Sequence, residues 1–279
     1  ASFRARFAEL LRQSPLPHSA LCFELTETAV IASQEPALRG EGAFPVRLRF
    51  AERGKVRFIS HRDAARAFDR AFRIEVLPLA LSEGFSPRPK VSFGLALSVG
   101  HESIAEYMDV RFSEPVDLET LPARLTAALP EGIEVTGVAL LADRAPALQE
   151  SVTAVEWELE VAKMDESEVS AEEISLRIEA LFETKSLPVN RIRKGREDIV
   201  DIRPALTRMS VIESGSVGIV LTAEIATQPA ARPSEVVTVL GEDLRAVRVL
   251  RTAQWIERDG NRQEPLIADA ARVSEARAS

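Results

Sequence analysis

From Phe44 onward, apolar and polar positions alternate with two periods, and the periods follow one another in the same order twice. "VRLRF" sets Val46, Leu48 and Phe50 on one side of a strand, and a turn is expected at Arg53 and Gly54. "SHRDAARAFDRAF" places Ala64, Phe68, Ala71 and Phe72 on one helical face, opened by Ser60 with Asp63 three residues on, which resembles a capping box. After the proline-rich "SEGFSPRPK", "VSFGLALSV" and "IAEYMDVRFSEP" return to period two around "GHES". "LETLPARLTAAL" aligns Leu118, Leu121, Leu125 and Leu129, with Pro122 forcing the regular helix to start close to it, and "IEVTGVALL" closes the set. The order is βαββαβ.

The order recurs without the residues recurring. "AVEWELEVA" reads as a strand, and "SAEEISLRIEALF" as a helix capped by Ser170 and Glu173 with Ile174, Ile178, Leu181 and Phe182 on one face. "LPVNRIRKGREDIVDIRPALTRMSVI" and "SVGIVLTAEIA" read as strands around "ESGS". A short helix from Ser234 to Gly241 and a last strand, "LRAVRVLRTAQWI", complete the second βαββαβ. The expected fold is α+β: two ferredoxin-like βαββαβ units with antiparallel sheets, helices on one sheet face and the other face free. The units are placed at 44–145 and 146–258. Residues 1–43 are expected to be an N-terminal fragment and linker, since a short helical pattern and the strand-like "LCFEL" give way to the aperiodic "SQEPALRGEGAFP". Residues 259–279, with sparse apolar positions, are expected to be a solvated tail.

Composition narrows the functional classes. The 279 residues carry 35 Lys and Arg against 43 Asp and Glu, a formal charge of -8, so any site for a polyanion must be a local patch. A single cysteine, Cys22, permits no internal disulfide or thiolate cluster, and no apolar run approaches the roughly 20 residues that span a bilayer. A cytoplasmic protein without membrane partner, metal or cofactor is expected.

Two loops carry the candidate chemistry. In "EGFSPRPK" two prolines stiffen a turn that presents Phe85, Arg88 and Lys90, a set suited to stacking a base and holding phosphates. A rigid connection with Phe85 in the core stands beside that reading. "NRIRKGRED" concentrates Arg191, Arg193, Lys194 and Arg196 about a glycine, which suits phosphate oxygens as well as it suits a solvated hairpin tip. Ser60, His61 and Asp63 form a possible functional turn, with His61 a candidate base and a capping turn the plainer alternative. His101 reads as surface, and Tyr107, Trp157 and Trp255 as packing.

"RFISHRD", "LSEGFSPRPKVSF", "GHESIAEYMDV", "LPEGIEV" and "RIRKGREDIVDIRP" together resemble the uncharacterised radical-SAM-associated protein family over residues 44–257. The resemblance implies an accessory to a radical-SAM enzyme, found as a separate chain or as the C-terminal part of such a protein. The chain itself lacks the three thiolates that the enzyme's cluster needs. "PHSALCFELTETAVIAS" resembles a piece of an EAL-type cyclic-di-GMP phosphodiesterase over residues 1–34, with Glu24 at the metal-ligand position and Glu27 at the loop-supporting one. The rest of the barrel and its other ligands are missing, so no metal-dependent hydrolysis is expected.

The reading that follows is a non-catalytic accessory that binds or presents RNA through the two basic loops, with the radical-SAM enzyme as partner. Two others stay open. One is an RNA-processing or RNA-modifying enzyme using His61 as base; the other is a protein-protein adaptor that never touches nucleic acid.

Overall fold

The structure, a computed structural model, describes residues 44–83, 85, 87–142, 145–193 and 195–271. The elements expected for residues 1–43, including Cys22, Glu24 and Glu27, lie outside the described residues.

The first unit runs β1 (Phe44–Glu52), α1 (His61–Ile74), β2 (Val91–Phe93), β3 (Glu102–Phe112), α2 (Leu121–Ala128) and β4 (Ile133–Leu140). The second runs β5 (Ala154–Lys163), α3 (Ala171–Glu183), β8 (Leu206–Ser214), β9 (Ile219–Ala226), α4 (Pro233–Leu240) and β10 (Leu244–Arg258). Between α3 and β8 an extra hairpin, β6 (Pro188–Arg193) with β7 (Arg196–Asp201), forms its own two-stranded sheet. The single strand expected over that stretch is thus divided, because Gly195 at φ +75° turns the chain back on itself. In the first unit β4, β1, β3 and β2 lie side by side, and in the second β10, β5, β9 and β8, all antiparallel within each unit. Both are the ferredoxin-like order.

Alternation explains the layers. Val46, Leu48, Phe50, Met108, Val110 and Phe112 point to one face and meet Phe68 and Phe72 of α1 and Leu121 and Leu125 of α2. In the second unit Val155, Leu159, Val161, Leu221 and Ala223 meet Ile174, Ile178 and Leu181 of α3 and Val236, Val237 and Leu240 of α4. Ser60 caps α1, its hydroxyl accepting from the Asp63 N–H, and Ser170 caps α3 in the same way through Glu173.

One sheet of nine strands joins the units, because β10 pairs in parallel with β3 at Leu250–Glu102 and Arg251–Ser103. The β2 strand makes this possible by stopping at Phe93. Just beyond it the N–H of Gly94 donates to the Tyr107 carbonyl, and a Cβ there would lie 3.2 Å from that oxygen, so the backbone approaches β3 closely at this point. The start of β3 is then free for β10.

The expected solvated tail is corrected as far as Ala271. The strand β11 (Asn261–Gln263) pairs with the end of β10, and a helical turn, Pro265–Ala268, lies over the sheet face away from the helices. Asp269 is buried there and accepts from Arg47 and Arg258, while Arg262 donates to Glu224 of the second unit. Residues 259–271 therefore form a strap across both units, held by opposite charges that the low apolar content concealed.

Candidate nucleic-acid interface

Each basic loop predicted from sequence connects the first helix of a unit to that unit's second strand. The β1 and β5 strands run in the same direction, since β1 opposes β3, β3 parallels β10 and β10 opposes β5. Helices α1 and α3 return against those strands, so both connections emerge at one end of the sheet.

In the first connection Phe85 is fully exposed, not packed, and Arg88 is exposed beside it. The loop is held by backbone bonds from Ser82 N–H to the Arg88 carbonyl and from Lys90 N–H to the Ala80 carbonyl. In the second, Arg191 departs from its predicted role: its guanidinium makes a two-pronged pair with Glu235 at 2.7 Å and donates to the Ala230 carbonyl. That pair ties the hairpin to the start of α4, and the Arg191 fork holds Glu235 below the usual carboxylate range although burial works against the charge. Arg196 is exposed, and on the outer face Ile192 and Ile199 are 76% and 70% exposed. Arg193 ends β6 opposite Arg196; Lys194 lies outside the described residues. His61 is exposed with its ring edge-to-face against Phe93 at a centroid separation of 5.0 Å, but Asp63 is spent on Ser60 and Arg66 and does not orient it.

The seam between the units holds polar groups that sequence reading missed. Arg251, on β10, donates through Nη1 to both Glu106 oxygens at 2.8 and 2.9 Å and to the Leu95 carbonyl, and its guanidinium lies 4.8 Å from the Trp157 ring centroid. Burial pushes the Glu106 carboxyl up against the pull of Arg251. Glu52 is pushed to about 7 by burial and by the neighbouring Glu106 charge, with Arg251 opposing. His101, expected at the surface, is half-buried with its ring edge-on to Trp157 at 5.7 Å, and burial followed by the Arg251 charge holds it below the ordinary imidazole value. Among the described residues, the buried side-chain atoms without a protein hydrogen-bond partner are His101 Nδ1, Arg251 Nε and Gln254 Oε1, all at this seam. The period-two pattern of "GHESIAEYMDV" located the strand, but only the neighbouring β10 set its buried Glu106 against an arginine 145 positions away.

On the face away from the helices the seam opens as a cleft of about 370 Å³, walled by Arg49, Arg53 and Thr136 from the first unit, Thr252 and Trp255 from the second, and Glu264 from the strap. Trp255 is thus a cleft wall rather than core. Tyr107 is buried as expected, yet its hydroxyl reaches Glu264 at 2.6 Å; burial and that carboxylate push the phenol above its ordinary range. No group of metal-ligating side chains occurs among the described residues, and no described helix is long and apolar enough to cross a membrane.

The family model for an uncharacterized protein conserved in bacteria (DUF2344) matches residues 46–233. The chain belongs to this family. The EAL-like stretch lies outside the matched residues. No curated protein matches the chain. Among solved structures, a Cbf5-Nop10-Gar1 complex is similar with a TM-score of 0.44 at 9% identity over 77% of this chain and 50% of the other. An H/ACA RNP bound to a substrate RNA containing 2′-deoxyuridine gives 0.41 at 9% identity over 82% and 51%, and the archaeal box H/ACA sRNP Nop10-Cbf5 complex 0.39 at 9% over 78% and 50%. The chain spans about half the length of these three.

Proposed function

We propose that the protein is a non-catalytic accessory that binds or presents RNA through the two helix-to-strand connections, Phe85–Lys90 and the β6–β7 hairpin. What supports this reading is that both connections leave the same end of the sheet, and each carries an exposed apolar side chain and an exposed cation: Phe85 and Arg88 in the first, Ile192 and Arg196 on opposite faces of the hairpin in the second. An exposed ring offers a base a stacking surface, and arginine forks suit phosphate oxygens. The radical-SAM enzyme is proposed as the partner on the strength of the motif resemblance alone. Arg191 leaves the set of RNA contacts, because Glu235 already satisfies its fork.

Equilibrium binding of single-stranded RNA by the full chain across a salt series tests the proposal. Each phosphate contact releases counterions, so Arg88→Ala with Lys90→Ala, and separately Arg196→Ala, are expected to weaken binding and to shrink the log-log salt slope by about 0.7 per contact. An unmutated protein that fails to bind RNA at low salt, or a triple variant with the parent's affinity and slope, would leave the adaptor reading in its place. RNA cleavage or modification without a partner would select the enzyme.

A further inference from the structure

We propose that the open-face cleft at the seam is a binding site for a nucleoside monophosphate, with the phosphate on Arg53 and the base against Trp255. The site is independent of the two connections and lies on the sheet face, where the first unit, the second unit and the strap each supply a wall. Its volume, about 370 Å³, is near the lower end of the roughly 300–1,000 Å³ typical of small-molecule sites, room for one nucleotide and not for a chain.

The donor set runs from cation to aromatic. Arg53 is exposed at the cleft wall, and its guanidinium makes no hydrogen bond or ion pair among the described residues. Its backbone is fixed, since its N–H donates to the Gly132 carbonyl at 2.8 Å, and a Cβ on Gly132, at φ +97°, would come within 2.4 Å of the Arg53 carbonyl. The charge is therefore presented from an ordered turn, which lowers the entropy lost on binding a phosphate. Trp255 is held by its Nε1–H bond to Glu156 at 3.3 Å and by the Arg262 guanidinium 4.5 Å from its ring centroid. A rigid indole wall suits a purine or pyrimidine face.

Glu264 restricts the ligand further. Its Oε1 accepts from Arg49 and from the Tyr107 hydroxyl, each at 2.6 Å, while Oε2 has no partner among the described residues. That oxygen can accept from a base N–H or a sugar hydroxyl. The same carboxylate repels a second phosphate driven past Arg53, so one phosphate and a base with N–H donors fit better than a diphosphate or triphosphate. The Thr252 hydroxyl adds a donor and acceptor between the two ends.

Saturation-transfer NMR and calorimetry on the full chain with GMP, AMP, adenosine and inorganic phosphate test the site. GMP or AMP is expected to bind, with transfer from protein to the base protons, and to bind more tightly than adenosine or phosphate alone. Arg53→Ala, an exposed change, is expected to weaken nucleotide binding about tenfold or more, the worth of one charge-assisted bond. Trp255→Leu is expected to remove the base-proton transfer. Absence of binding at millimolar nucleotide, phosphate binding as tightly as the nucleotides, or an Arg53→Ala affinity equal to the parent's each overturns the proposal. The readout needs no RNA, so a negative result here leaves the RNA reading standing, and loss of RNA binding leaves this one standing.

Discussion

The two units share one strand order and differ in the lengths of their strands, and that difference joins them. In the first unit the second strand, β2, has three residues, where its counterpart β8 has nine. In the second unit the last strand, β10, has 15 residues, where its counterpart β4 has eight. The short strand leaves the start of β3 unpaired, and the long one fills it. An open sheet edge invites pairing with another chain; here the repeat partner within the same chain covers it. The open faces differ as well: Arg47 and Arg49 on the first unit meet Asp269 and Glu264 of the strap, while Glu224 on the second meets Arg262. A duplicated frame thus became one sheet by divergence at its edges and charges, while both helix layers kept the same packing rule.

The largest expected effect comes from breaking the join. Arg251→Ala leaves Glu106 buried, raised and unpaired, and is expected to cost about 3–5 kcal/mol in chemical unfolding, with the two units melting less cooperatively. An unchanged midpoint would mean that the seam contributes no coupling.

Next is Glu52, which titrates at the same place. Its folded value of about 7 lies above the ordinary 4.5, so between those values the folded state keeps a proton that the unfolded chain releases. Its contribution is fully present below about 4.5 and is lost as the pH rises through 7. Glu52→Gln is expected to be the more stable protein at pH 8, by on the order of 3 kcal/mol, and to flatten the fall between those values. A parent whose melting temperature is flat from pH 5 to pH 8 would contradict the burial of this acid.

Smaller effects compare the connections. Arg191→Ala removes a pair with side chains 12% exposed on each partner, and is expected to cost about 1–3 kcal/mol by thermal melting. Arg88→Ala and Arg196→Ala, both exposed, are expected to stay within about 0.5 kcal/mol. Equal losses at all three positions would erase the distinction between an anchored arginine and presented ones.

The α+β class, the doubled βαββαβ order and the capped helices were legible because hydrophobic period and capping act within a few residues of one another. Ser60 with Asp63, and the Phe68–Phe72 face, are such local signals. The candidate loops were legible as basic runs, but which arginine stays available was not. Arg191 and Glu235 are 44 positions apart, and nothing near either one announces the other. The strap was misread for the same reason: its ties to Arg47 lie 222 positions away, and a short run of charged residues looks solvated until its partners are in place. Hydrophobic alternation, local turns and caps by themselves determined the class and order of the elements from β1 to β10, apart from the β6–β7 hairpin. Which charges are buried, which edge meets which, and where a cleft opens were decided by tertiary pairing, since Coulomb and desolvation energies depend on distances and burial that exist only once the β3 and β10 strands lie side by side.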